Sequence, residues 1–250
     1  MADQTLAETG ALKAPAAPRP VQEYTLRYKF AWRWRAARCW ARYALVGQHR
    51  GVPGLADFIL GNHFFVAAQV PAELSALGEI LAPLRPECAL EIGTYHGGTL
   101  LLLCKLASPQ AAIVSVDLPG GRFGGGYSSR RRWFYQRFGQ RRQRLHLLRG
   151  DSHSHEMLAR AKAALRGQPL DYLFIDGDHT YEGVKQDFEL YAPLVQRGGI
   201  IALHDIAEHP PAAGCEVAKL WNQLKSQYRH AEIIEDRNQG WAGIGVLYVD

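Results

Sequence analysis

Two runs in the second half of the chain place acids, imidazoles and glycines where an apolar stretch ends. Leu173-Phe174-Ile175 leads directly into Asp176-Gly177-Asp178-His179, and Ile201-Ala202-Leu203 leads into His204-Asp205. If these stretches are neighbouring strands, Asp176 and Asp205 meet at adjacent strand ends, and two such carboxylates repel unless a proton or a cation lies between them. The pattern therefore predicts a cation site at Asp176 and Asp205, with His204 beside it. An oxygen-rich site favours Mg²⁺, while two nearby imidazoles leave Mn²⁺ and Fe²⁺ open. The other use of His179 and His204 is capping and packing at strand ends.

A second set of residues suits a nucleoside. In Glu91-Ile92-Gly93-Thr94-Tyr95-His96-Gly97 the glycines let the chain turn sharply and let a ligand approach the main chain, and the following helix offers N–H donors to a carboxylate. The Gly-x-x-x-Gly spacing is not the fingerprint of dinucleotide-phosphate binders, which argues against NAD. Asp117 ends the next apolar run, where a carboxylate can accept bonds from both ribose hydroxyls. Together they describe a nucleoside without a pyrophosphate. Gly150-Asp151-Ser152 follows the third run; Asp151 either touches an adenine edge or belongs to a helix cap.

The elements that must position these residues follow from hydrophobic patterning. Apolar runs at 89–92, 112–116, 145–148, 172–175 and 200–203 alternate with helix-like stretches at 99–107, 128–138, 155–165 and 181–194. That alternation predicts βαβ units, hence a parallel sheet covered by helices on both faces. A helix around 215–228 precedes two closely spaced strands, 232–234 and 244–249, which should be antiparallel. The ligand of such a sheet sits at the carboxyl ends of the strands, where the polar residues above lie.

The motifs resemble class I S-adenosylmethionine-dependent methyltransferases, and more narrowly the bacterial branch of cephalosporin hydroxylase-like proteins and metal-dependent O-methyltransferases of antibiotic sugars. The likeness spans about residues 75 to 250. It rests on Glu91-x-Gly93-x-x-x-Gly97, on Asp117, on the run from Phe174 through Asp176-Gly177-Asp178-His179 to Gly183, and on Gly198-Gly199 followed by His204-Asp205. The resemblance implies a Rossmann-like α/β fold: a seven-stranded, mostly parallel sheet with the last strand antiparallel. It implies that S-adenosylmethionine is the cofactor, that Glu91, Gly93, Thr94 and Gly97 line its methionine part, and that Asp117 holds its ribose. Asp151 and Asp176 complete the expected cofactor-binding set. It maps the metal carboxylates onto Asp176 and Asp205, and the base onto Asp178 or His179. Relatives often carry two acids after the fifth strand where this chain has His204-Asp205. A base titrating near neutrality suits the reaction, which favours His179.

Composition bounds the remainder. The chain has 250 residues, 47% hydrophobic and 21% charged, which fits an ordinary globular protein and excludes collagen, coiled coil and wholesale disorder. No apolar run approaches the roughly 18 residues of a membrane helix. The opening Met-Ala-Asp-Gln lacks the positive charge of a secretion signal, so a cytoplasmic location is expected. The four cysteines lack paired zinc spacing and read as reduced, mostly buried thiols. Residues 1–20 read as an Ala/Pro-rich tail, 21–70 as a basic aromatic helical segment, and 71–250 as the catalytic domain. Two acid-free segments, Arg27 to Arg50 and Arg130 to Arg149, carry seven and eight of the 29 Lys and Arg. They suggest an anionic small-molecule or saccharide acceptor, or contact with an anionic surface; a homo-oligomer stays open and no nucleic-acid partner is expected. The competing functions are a metal-dependent hydroxylase on the same fold and a basic nucleic-acid or lipid binder with a vestigial cofactor pocket.

Overall fold

The computed structural model describes residues 26–46, 51–62, 64–65, 67–121, 123 and 125–250. The proposed tail at 1–20 lies outside them. Three helices come first, α1 (Leu26–Val46), α2 (Gly51–Leu60) and α3 (Pro71–Leu84). Strands and helices then alternate: β1 (Cys88–Ile92), α4 (Gly98–Leu106), β2 (Ala112–Asp117), α5 (Ser129–Tyr135), β3 (Arg144–Arg149), α6 (His155–Ala164), β4 (Leu170–Ile175), α7 (Tyr181–Tyr191) and β5 (Val195–His204). The chain closes with α8 (Val217–Leu224), β6 (Arg229–Ile233) and β7 (Ile244–Tyr248).

The strands form one seven-stranded sheet in the order β3-β2-β1-β4-β5-β7-β6. The first five are parallel, and β7 runs antiparallel to both β5 and β6. β1, β2 and β4 are buried or nearly so along their length because both faces are covered, which is why they read as continuous apolar runs. On one face Cys39, Leu55, Leu77, Leu101 and Phe134 join α1 through α5 into a single apolar cluster. On the other, Met157, Phe188 and Trp221 bring α6, α7 and α8 against the sheet. Trp40 of α1 packs on Phe65, Phe134 and Phe138, so the basic aromatic helix buries rings on this core while Arg33, Arg35 and Arg38 stay exposed.

Boundaries differ where apolar pattern is a poor guide. β6 begins at Arg229 rather than near Glu232, because pairing of Arg229 with Tyr248 and His230 with Leu247 extends an edge strand through exposed polar residues. α7 stops at Tyr191, where Pro193 turns the chain into a short 3₁₀ segment, Ala192–Leu194. α8 starts at Val217, which leaves Cys215 in the preceding loop. Among the described residues no helix is long and apolar enough to cross a membrane.

Candidate active site

The order of strands reverses between β1 and β4, and the loops leaving their carboxyl ends enclose a cavity of about 790 Å³. That volume suits a small-molecule ligand or cofactor. One end is built around β1 and β2. Gly93 has φ +88°, and a Cβ there would stand 1.9 Å from the Asp176 carbonyl oxygen, so only glycine lets β1 turn so close to β4. Thr94 lines the cavity, and its hydroxyl shares a hydrogen bond of 2.5 Å with Ser115. Gly97, φ +81°, precedes the first turn of α4, with the rings of Tyr135 and Phe138 against it.

Asp117 is buried on the cavity wall and accepts the N–H of Tyr95 at 2.9 Å and that of Gly126 at 2.7 Å. Burial pushes its carboxyl up to about 6, with the N–H bonds opposing. Gly126 brings the glycine-rich segment over this acid; Arg122 and Gly124 of that segment lie outside the described residues. Glu91 stands behind the turn rather than on the wall. One of its oxygens accepts the Thr99 hydroxyl, and burial raises it to about 8. Asp151 also stays off the wall. Its side chain is 56% exposed and accepts the His153 N–H, while its neighbours Gly150 and Ser152 face the cavity. The helix cap expected at 151 or 152 is Ser154, whose hydroxyl accepts the Met157 N–H.

The other end gathers charge. Asp176 Oδ1 lies 3.2 Å from His204 Nδ1 and 3.6 Å from His179 Nε2, and its Oδ2 accepts from Gln69 at 3.4 Å. Asp205 Oδ2 lies 2.9 Å from His179 Nδ1, and its Oδ1 lies 3.3 Å from both His204 Nδ1 and His209 Nε2. Burial alone would raise the Asp205 carboxyl, but the His204 charge and the close imidazoles of His179 and His209 outweigh it and hold Asp205 well below the usual range. Burial opposes charge on His179 and His204 as well; the two carboxylates prevail, taking His179 up to about 10 and His204 well above its ordinary value. Cys215 would rise on burial, yet hydrogen bonds from His179 and His209 bring its thiol down to about 7. Asp178 lines the cavity and spends Oδ1 on the Thr180 N–H and hydroxyl, fastening the start of α7.

Residues 90–206, the segment that supplies most of these groups, match the family model of a methyltransferase domain. That segment is similar to methyltransferase domains. The fold is shared with solved structures: cofactor-bound Rv0187 from MTB has TM-score 0.55 and 21% identity over 91% of this chain and 99% of its own. An O-methyltransferase from Bacillus cereus in complex with SAH has TM-score 0.53 and 14% identity over 85% and 97%. TomG from Streptomyces achromogenes, an O-methyltransferase in complex with SAM, has TM-score 0.54 and 14% identity over 87% and 98%. A curated relative, an uncharacterized protein of Acanthamoeba polyphaga mimivirus, is 48% identical over 40 residues, which span 16% of this chain and 18% of that one.

The fold thus brings Gly93, Thr94, Asp117, Asp176, Asp178, His179, His204 and Asp205 to one cavity. It leaves Glu91 and Gly97 behind the wall and Asp151 outside it. Sequence reasoning missed Gln69, His209 and Cys215, all of which line the same space. The spacing His204-Asp205-x-x-x-His209 was a usable signal for the second; Cys215 carried none. Trp241 reaches the wall, whereas Gln239 braces the loop by donating to Glu73 and to the Trp241 carbonyl. As a test of metal fit, both ring nitrogens of buried His204 lack a hydrogen-bond partner of good geometry, as expected where a ligand completes the site. Asp176, His204 and Asp205 therefore suit a divalent ion. They suit Mg²⁺ less well, because that ion prefers oxygen and the surrounding donors are imidazoles and a thiol.

Proposed function

We propose that the chain transfers a methyl group from S-adenosylmethionine to a hydroxyl oxygen of a small molecule or saccharide. The observation that carries this reading is the continuity of one cavity from Gly93 and Asp117 to Asp176 and Asp205. The bound SAM and SAH of the structural neighbours support the same donor. In this reading the Gly93 turn and the start of α4 receive the amino-acid part of the donor, and Asp117 accepts from the ribose hydroxyls.

A donor held there would leave Asp176 and Asp205 on the part of the cavity open to the acceptor. A divalent ion held by Asp176, His204 and Asp205 would supply Lewis acidity that lowers the pKa of the acceptor hydroxyl. The new O–CH₃ bond forms as the S–CH₃ bond breaks, leaving a neutral thioether. The acceptor proton passes to a carboxylate. Of the two expected bases, His179 has both ring nitrogens turned to Asp205 and Asp176, so we assign the role to Asp178 on the adjoining wall. Positioning of donor and acceptor supplies much of the acceleration. The exposed arginines of α1 favour an acceptor bearing negative charge.

Transfer of isotopically labelled methyl from S-adenosylmethionine, screened across hydroxylated and glycosylated acceptors with and without EDTA, tests this. Labelled product in the metal-replete arm is expected. Oxygen uptake with no methyl transfer would replace it with the hydroxylase reading, and absent donor binding by calorimetry would end it.

A further inference from the structure

His179, His209 and Cys215, which the methyl-transfer reading leaves without a role, lie around Asp205, the acid it shares with the Asp176 and His204 pair. Asp205 has φ 62°, a left-handed backbone that a non-glycine residue keeps only when its surroundings hold it. Its Oδ1 also accepts the Ala242 N–H at 3.1 Å, which fixes the carboxylate between two imidazoles. The ligand atoms of His179, Asp205 and Cys215 all lie within 4.8 Å of one another. His209 Nε2 stands 3.3 Å from Asp205 Oδ1, beside this group.

The ring of His209 is oriented as metal-binding imidazoles are. Its Nδ1 lies 2.8 Å from the Ala207 carbonyl, so Nδ1–H donates there and Nε2 faces Asp205. The loop carrying Cys215 is tied down by the Glu216 N–H, which donates to the His179 carbonyl at 2.8 Å. Three loops, after β4, after β5 and before α8, are thus fastened around one point.

We propose that Asp205, His179, His209 and Cys215 form a four-donor site for a borderline-soft divalent ion of the zinc class, offset from the Asp176 and His204 pair and poorly suited to Mg²⁺. One carboxylate, two imidazoles and one thiolate are a tetrahedral zinc set, whereas Mg²⁺ would find a single oxygen ligand among them. On binding, the thiol proton and the extra imidazolium protons of His179 and His209 leave to solvent, and both imidazoles coordinate as neutral rings. The inference rests on the methyl-transfer reading only for what the ion acts upon.

Anaerobic titration of the full chain with Co²⁺ tests it without reference to turnover. Thiolate ligation gives a near-ultraviolet charge-transfer band, and tetrahedral coordination gives intense visible bands. Both are expected at about one equivalent, erased by equimolar Zn²⁺ but not by a roughly hundredfold excess of Mg²⁺. Cys215→Ser should lose the charge-transfer band. His209→Gln should weaken Co²⁺ binding by more than the roughly 10–100-fold that outer partners are worth. Circular dichroism verifies that both variants fold. A missing band in the unaltered chain, a band that survives in C215S, or displacement by Mg²⁺ overturns the proposal. Calorimetry with S-adenosylmethionine on the same sample keeps the two readings apart: intact donor binding without the band removes this site alone, and the band without donor binding removes the donor reading alone.

Discussion

Where the cavity meets β1 and β2, its polar groups are already paired with the protein: Asp117 takes N–H bonds from Tyr95 and Gly126, and Thr94 shares a hydrogen with Ser115. Where it meets β4 and β5, three imidazoles crowd two carboxylates, and the buried ring of His204 finds no well-aligned partner for either nitrogen. The first end is shaped by main-chain geometry and suits a ligand of constant form. The second concentrates charge and donor atoms that only a further ligand can satisfy, which is how a site that performs chemistry differs from one that holds.

The sharpest way to break this comparison is Asp205→Asn, which keeps the shape but removes the charge shared by three imidazoles. Turnover is expected to fall by about 10³, with the donor dissociation constant within about threefold. Steady-state kinetics beside calorimetry checks both, and a variant that loses donor affinity instead would merge the two ends into one functional unit. Next in size is Gly93→Ala. Its Cβ meets the Asp176 carbonyl in a backbone already at φ +88°, so a stability loss of about 2–4 kcal/mol is expected in urea unfolding, together with donor binding weakened at least about tenfold. Unimpaired donor binding in this variant would move the donor away from the turn.

The smallest effect sharpens the picture of what supports the first end. Burial raises Glu91 to about 8 from its ordinary 4.5, so between those values the folded chain holds a proton that the unfolded chain has lost. The stability that goes with the protonated form is complete below about pH 4.5 and is lost as pH rises toward 8. Glu91→Gln should flatten that slope, so the urea midpoints of the two proteins should diverge in favour of the variant from pH 5 to pH 8. Parallel midpoints would mean that Glu91 is ionised in the fold.

How far the molecule could be read in advance depended on the range of each interaction. The strands covered on both faces stood out because they are buried throughout and so mostly apolar, as Ala112–Asp117 is. β6 was misplaced by three residues at its start, since an edge strand that exposes Arg229 and His230 leaves no such trace and takes its register from β7. Gly93, Asp117, Asp176 and Asp205 were legible because each follows an apolar run within two residues. Asp151 stood close behind such a run yet turned outward, and His179 proved to have both nitrogens turned to carboxylates.

The order of amino acids was enough to specify the strands, the sharp glycine turn and the acids at strand ends, because backbone sterics and burial act over a few residues and leave a local pattern. The meeting of Gln69, His209 and Cys215 with Asp176 and Asp205 came only with the folded chain. Those side chains lie in loops without periodicity, and their convergence is set by which strands are adjacent and how the loops are tied together, neither of which any short stretch of sequence contains.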